Sequence, residues 1–534
     1  LELNIINNIK LNTMKTQKSL YRNWAIRVML FLAPIVILSA CTEKFDEINK
    51  RPDGLLELTA PDLRSLFPGA LVAGGGIGYN ETSMLLFPGV YSQHFAGTNI
   101  NQESHRYVIV QRWQDIWPGT YVNAMPKLVN IIEATKGGKE PSMNAIARMW
   151  KVFCFMRVTD EWGPIPYSKI GKDTTVVSYD DQKSIYFDFF KELDEATNDL
   201  KNNLTKPSFA TADRVYNGDN AKWLKFGNTL RLRLALRISD VEPAKAKVEA
   251  EKAYAAGVMT QVTDGAYFAT NADFNNGLNN FMSRNGSRMS ATMESLLVGY
   301  KDPRLSVFWS PALTDGKFRG VRNGMTVAQQ NLPANSINNN SAVGLKYSAA
   351  TMTTTPQVIF YASEAYFLRA EGALNGWNMG GNAKDLYDMG IETSLREHGI
   401  TDAAVISAYV NGTSLPVAPD NLFPTPPLTD IPVKFEAGNV ERQREQIGTQ
   451  KWIALFPESH EAWANIRRSG YPKFYPLLNS QNPDITPDKM IRRISFLDRE
   501  IIANGAAVKA AVPLLGGGPD NVATRLWWDK SKSN

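Results

Sequence analysis

Imidazoles, thiols and paired carboxylates carry most enzyme chemistry, and the first two are scarce in this chain. Its 534 residues include four histidines, His94, His105, His398 and His460, and two cysteines, Cys41 and Cys154. His460-Glu461 begins like the His-Glu-x-x-His helix of a zinc peptidase, in which two histidines one turn apart hold the metal. Position 464 is Ala464, so the second ligand is missing. Nor is there a Cys/His zinc cluster, an EF-hand-spaced calcium loop or a Gly-x-Ser-x-Gly nucleophile elbow. Gly74, Gly75, Gly76 and Gly78 lack the spacing of a phosphate-binding loop. Carboxylate pairs of the glycosidase kind are set by distance in space, which sequence spacing does not report. With nothing beside them, neither catalysis nor a metal or cofactor is expected.

The sequence does supply a chemistry of capture. The C–H face of a sugar ring packs on an aromatic face, while Arg, Asn and Gln side chains align its hydroxyls. Two stretches hold such sets. One has Tyr79, Tyr91, Gln93, Phe95, Asn99, Asn101 and Tyr107; the other has Asn279, Asn280, Phe281, Arg284 and Asn285, with Trp309 close behind. The candidate ligand-binding residues are Tyr79, Tyr91, Phe95, Asn101, Tyr107, Phe281, Arg284, Asn285 and Trp309. Trp377, at a break between two helical patterns, is a further ring expected at the surface. Trp113, Trp117, Trp150 and Trp223 lie on helical spacing and are expected in the core. Arg467-Arg468 reads as a salt-bridged surface pair, and Cys154, inside Trp150–Met156, as a small buried hydrophobe.

Cys41 has a different chemistry. Met14 is followed by Lys15, Lys18, Arg22 and Arg27, then by an apolar run from Val28 to Leu38 and by Leu38-Ser39-Ala40-Cys41. A basic stretch, a short apolar stretch and small residues before a cut make a secretory signal peptide. The apolar run is short and broken by Pro34, which disfavours a membrane span. The cysteine at the cut resembles a lipobox, so Cys41 is the expected lipid attachment. Residues 1–40 are then a non-native extension plus signal peptide. They hold five basic residues (Lys10, Lys15, Lys18, Arg22, Arg27) against Glu2, so four of the five net positive charges leave with them, and the remainder is near neutral at +1. Such a balance gives no reason to expect nucleic acid as a partner. With Cys41 acylated, no internal disulfide can form, and a large core must supply the stability. The acidic stretch Glu43, Asp46, Glu47 behind it suits a tether or an export signal.

The elements that must position these groups are mostly helical. Apolar residues recur on one face in Asn144–Val158, Tyr186–Leu200 and Ala221–Ile238, and Ala244–Ala255 is alanine-rich. Val358–Asn375 carries a stripe of Ala362, Ala365, Arg369 and Ala373. Gly376 and Gly380-Gly381 break it, and Ala383–His398 forms a second helix. Small residues let two helix backbones approach closely, as in a tetratricopeptide-type hairpin. The expected architecture is mainly α: residues 41–534 as a single domain of stacked helical hairpins at about 113–160, 183–255 and 356–400. Loop-rich regions at about 68–112, 260–355 and 400–534 complete it, the last with a proline-rich part at 411–448. Long loops within one domain are usually functional.

In their order and spacing, several motifs resemble the SusD/RagB family of nutrient-binding outer-membrane lipoproteins. They are Cys41 with Phe45–Asn49, Asp160–Tyr167, Leu230–Ile238, Asp302–Leu305, Glu364–Glu371, Tyr387–Gly399, Gln450–Trp452, Glu461–Trp463 with Arg467-Arg468, Gly470–Pro472 and Trp527–Asp529. The chain departs from the family pattern near its end, where Arg492–Phe496 stands in place of a basic Arg-Tyr-Pro cluster, followed by Glu500 and Asn504. The resemblance implies a superhelix of tetratricopeptide-like hairpins with a loop-built binding region. It further implies a lipid-anchored protein at the outer membrane, surface-exposed, capturing a nutrient, usually a glycan. The implied partner is a SusC-like TonB-dependent transporter. A peptide ligand is the alternative within the same type of complex. A structural or adhesive helical-repeat module without a small ligand is the other reading.

Overall fold

Helix starts in this chain are marked by side chains that satisfy the orphan N–H groups of a first turn. The structure, a computed structural model, describes residues 58–77, 87–171, 176–282 and 286–530. Helix α1 (Ala60–Gly75) opens where the Asp62 carboxylate accepts from the Thr59 backbone N–H at 2.9 Å, and ends at Gly76, whose φ of 68° suits a residue without Cβ. Helices α2 (Met125–Ala134) and α3 (Pro141–Trp162) follow, α3 starting on a proline that needs no N–H partner. Asp181 caps α4 (Gln182–Asn202), and Asp219 caps α5 (Asn220–Arg237). Next come α6 (Pro243–Ala256) and α7 (Ala291–Tyr300), the latter capped by Ser290. The pair α8 (Ala362–Leu374) and α9 (Ala383–Glu397) has Asn382 as the α9 cap. The remaining longer helices among the described residues are α10 (Ala403–Val410), α11 (Val440–Ala454), α12 (Ser459–Ser469) and α13 (Asp498–Ala511).

Neighbours in sequence pack on one another: α2 on α3, α3 on α4, α4 on α5, α5 on α6, and α8 on α9. Helix α8 also lies against α5 and α11, and α11 against α12, which closes the hairpins into one compact unit over Thr59–Asn534. Strand structure among the described residues is confined to three short antiparallel pairs. Strand β1 (Phe95–Gly97) pairs with β5 (Ser287–Met289), β2 (Ile165–Pro166) with β3 (Tyr179–Asp180), and β4 (Ala266–Phe268) with β6 (Gln357–Phe360). The mainly α architecture expected from the periodicities is the one observed.

The interior mixes aromatic clusters with buried ion pairs, as where Arg233 lies 3.7 Å over the Phe360 ring. Trp150, Phe153, Trp223 and Phe226 cluster with ring centroids 4.8–6.3 Å apart, and Phe67 stacks on Phe209 at 3.7 Å. Trp117, Trp150 and Trp223 are buried as their spacing requires, whereas Trp113 is half-buried. Cys154 is buried, and desolvation pushes its thiol up to about 12, so it acts as a small hydrophobe.

Several residues lie deeper than the sequence suggests. Trp377 folds back on Gly372, at whose position a Cβ would come within 3.2 Å of the indole, and is only 9% exposed. Arg468 and Arg467 are not at the surface. Arg468 grips Glu371 through two bonds of 2.6 Å, and Arg467 lies 3.6 Å over the Trp463 ring while donating to the Asp160 and Arg492 carbonyls. The stretch 400–534 holds the helices α10 to α13, and α11 is disguised by its polarity. On α11 the residues Glu445, Gln446, Thr449, Gln450 and Lys451 are all buried.

Candidate functional site

The two polar and aromatic stretches are more than 170 residues apart in sequence, and the β1–β5 ladder joins them. Phe95 pairs with Met289, Ala96 with Arg288 and Gly97 with Ser287. Just past the ladder, the Thr98 backbone N–H donates to the Gly286 carbonyl at 2.9 Å, and its hydroxyl does so at 3.2 Å. The loop from Thr98 to Gln102 therefore starts beside Gly286.

This loop is shaped by its own side chains. The Asn101 backbone N–H donates to Asn99 Oδ1 at 2.9 Å, and the Gln102 N–H to the Asn99 carbonyl at 2.9 Å. Asn99, Ile100 and Asn101 are exposed in consequence, Ile100 by 44%. Below them, the chain is pinned from three sides. The Gln330 amide lies 3.0 Å from His105 Nε2, and Arg106 donates through Nε to Gln481 at 2.8 Å. The Gln481 N–H returns to the Arg106 carbonyl at 2.8 Å, and Asn482 donates to the Tyr107 carbonyl at 2.9 Å. Burial, with the Arg106 guanidinium alongside, pulls the His105 imidazole down to about 3, so it stays neutral and serves as a hydrogen-bonding post. Gly97 passes so close to His105 that a Cβ there would lie 2.9 Å from the ring.

The candidate residues divide into three groups. Cys41, Tyr79, Arg284 and Asn285 lie outside the described residues. Asn101 is at the surface, with its neighbour Asn99. Tyr91, Phe95, Tyr107, Phe281 and Trp309 are interior, at 1%, 0%, 2%, 4% and 0% exposure. Tyr91 packs on Trp463 at 5.3 Å and on Tyr107 at 5.9 Å. Phe95 and Trp309 meet at 5.6 Å, and both lie against Phe456. Here the structure corrects the expectation, because a ring face occupied by neighbouring rings cannot also stack on a sugar. The reason is that these irregular segments close over the core and send their large apolar rings inward. The rings form a rigid base, and the loop above presents amides. Gln93 and Asn279 are likewise buried. Gln93 reaches the Tyr475 carbonyl at 2.6 Å and Asn279 the Lys346 carbonyl at 3.0 Å, so both hold the backbone.

Ile100 and the pinning network carry no signal in the sequence. The helical spacing of Trp113 predicts a core position, yet it is half-buried. The short turn at Gln111–Trp113, flanked by irregular backbone, is the signal that should have outweighed the spacing. Chemically, an exposed rim of amides over an apolar base suits hydrogen bonding to a polyhydroxylated or peptide ligand. His460 and Glu461, the pair with a peptidase-like opening, are both buried and already engaged by neighbouring side chains. His460 Nδ1 lies 2.7 Å from Glu161, and Glu461 is held by Arg237 and, at 3.1 Å, by Lys451. Among the described residues no group of His, Cys, Asp and Glu is placed to hold a metal.

Comparison with known proteins now decides the family. Residues 78–529 match the SusD-like family model, described as Susd and RagB outer membrane lipoprotein. The chain belongs to the SusD/RagB family. A chitin-binding SusD homologue from Flavobacterium johnsoniae has a solved structure similar to this one: 33% identity, TM-score 0.81, covering 88% of this chain and 99% of that one. A SusD homologue from Bacteroides thetaiotaomicron is 31% identical with a TM-score of 0.78, over 88% and 100% of the two chains. One from Bacteroides vulgatus is 30% identical with a TM-score of 0.81, over 89% and 100%. A search of curated proteins gives no match. As a SusD/RagB protein, the chain is a lipid-anchored protein of the outer membrane.

The departure from the family pattern near the C-terminus has a local solution. Arg493 donates to the Trp162 carbonyl at 3.1 Å and to Asp520 at 2.6 Å, and Asp520 accepts the Phe496 N–H at 3.0 Å. Glu500 and Asn504 then reach Tyr179 and the Val177 carbonyl at 3.1 and 2.8 Å, so this turn is built on Asp520 without the tyrosine and proline.

Proposed function

We propose that this SusD/RagB protein captures an oligosaccharide at the cell surface and delivers it to a SusC-like TonB-dependent transporter, without turning it over. In this reading Cys41 carries the lipid. The loop at Thr98–Gln102 forms the rim that meets the ligand, and Arg284 and Asn285, which lie outside the described residues, are proposed as further ligand contacts. Tyr79 lies on the same stretch of chain as the rim. The observation that carries the reading is the chitin-binding Flavobacterium johnsoniae homologue, matched over 99% of its length. The geometry supports it, since the exposed amides of Asn99 and Asn101 stand on a preorganised base, which lowers the ordering cost of binding.

Calorimetry and affinity electrophoresis against a panel of neutral oligosaccharides and polysaccharides, chitooligosaccharides first, test it. Micromolar to millimolar binding is expected for one glycan class. Replacing Asn99 and Asn101 together by alanine is expected to weaken it about tenfold or more, with an unchanged circular dichroism spectrum. Binding of peptides with none of any glycan would transfer the function to peptide capture.

A further inference from the structure

Tyr471 and Phe474 face a cleft of about 820 Å³. The first turns of α11, the end of α12 and the segments 426–428 and 470–476 form its walls. It lies apart from the loop at Thr98–Gln102, and none of the residues on that rim lines it. Its size is that of ligand-binding pockets, which span roughly 300–1,000 Å³.

Its rings are placed differently from those of the core. Tyr475 is fixed, donating through its hydroxyl to the Pro426 carbonyl at 2.6 Å, with Arg322 5.2 Å over its ring. Tyr471 is oriented by a bond of 2.5 Å from its hydroxyl to Glu441. Phe474 is half-buried and has neither a ring partner nor a cation over its face among the described residues. As a ring that lines the cleft, it can present part of its surface to a ligand.

The polar lining narrows the ligand class. Four acidic and four basic side chains line the cleft, so it has no net charge with which to select a polyanion or polycation. Several are already oriented. Arg444 donates to Asn375 at 2.7 Å, and Lys473 lies 3.2 Å from Glu445. The wall carries Pro426, Pro427 and Pro476, which have no backbone N–H. A strand-like peptide would need such donors, whereas a sugar is held by ring faces and side-chain hydrogen bonds.

We propose that this cleft is a second oligosaccharide-binding site, taking a neutral glycan segment stacked on Phe474 and held by charged side chains such as Arg444 and Glu441. The proposal rests on the glycan reading given above and adds to it a second point of contact for one polymer chain.

Calorimetry of the full chain with neutral hexasaccharides (chito-, cello-, malto- and xylohexaose) tests it, alongside Phe474→Ala, Phe474→Leu and the Asn99→Ala/Asn101→Ala pair. The leucine variant keeps apolar bulk and removes the flat face. The expected result is a stoichiometry of two for one hexasaccharide, falling to one in either Phe474 variant and, independently, in the asparagine pair. A stoichiometry of one that Phe474→Ala and Phe474→Leu leave unchanged overturns the second site and leaves the loop reading standing. No hexasaccharide binding by the parent chain overturns the glycan reading, and this inference with it. Displacement of the sugar from this cleft by a proline-rich decapeptide, at lower concentration than by free hexasaccharide, would make it a peptide site instead.

Discussion

At the scale of single residues, the buried charges dominate the energetics. Arg468 and Glu371 satisfy each other, and truncating one leaves the other charged and desolvated. Arg468→Ala is expected to cost about 3–5 kcal/mol, measured as a lower urea midpoint at constant slope. Glu161 behaves differently. Burial pushes its carboxyl up to about 8, against the partial relief that Arg157 gives. The folded chain thus keeps a proton that the unfolded chain releases near 4.5. The stability from this group is complete below about pH 4.5 and is lost as the pH rises to about 8. Urea midpoints of the parent and of Glu161→Gln should converge near pH 5, with the variant gaining relative to the parent by pH 8.5. Parallel pH profiles would show that Glu161 is ionised in the folded state. Neither pairing was legible in the sequence. Arg467-Arg468 looked like surface because arginine usually is, and only the tertiary partners reveal otherwise.

The helical pairs were the most readable elements. Ala362 and Ala365 on α8 are fully buried, as the small-residue stripe required. Gly390 on α9 faces Phe367, and a Cβ there would lie 2.9 Å from the ring. The α8–α9 contact therefore depends on the absence of a methyl group. Gly390→Ala is expected to destabilise by about 1–3 kcal/mol and to lower the thermal midpoint, although alanine is the better helix former. A rise in the midpoint would mean that the helices separate without cost. Helix α11 was less legible because its buried face carries charged and amide groups, which leave little apolar period to read. The loops were half legible. Their amides announced a polar rim, but residue type alone does not tell whether a Tyr or Phe on an irregular segment faces solvent or closes over the core. Tyr91 and Phe95 did the latter.

On the scale of the whole molecule, anchoring and stability separate. Arg233 and Arg237 of α5 reach Glu364 of α8 and Glu461 of α12, and Lys451 of α11 joins them, so ionic contacts tie segments more than 200 residues apart into one unit. That unit begins at Thr59, well after Cys41. No helix among the described residues is long and apolar enough to cross a membrane. Attachment through lipid rests on acyl chains, each buried methylene contributing about 0.8 kcal/mol, so that two or more chains hold firmly where one does not. Cys41→Ala should accordingly leave the circular dichroism spectrum and urea midpoint unchanged while moving the protein out of the membrane fraction. A transporter bound to the folded unit would retain some of the variant, so the fractionation has to be done with the partner barrel deleted. Retention of Cys41→Ala in membranes under that condition would place the anchor elsewhere than on Cys41.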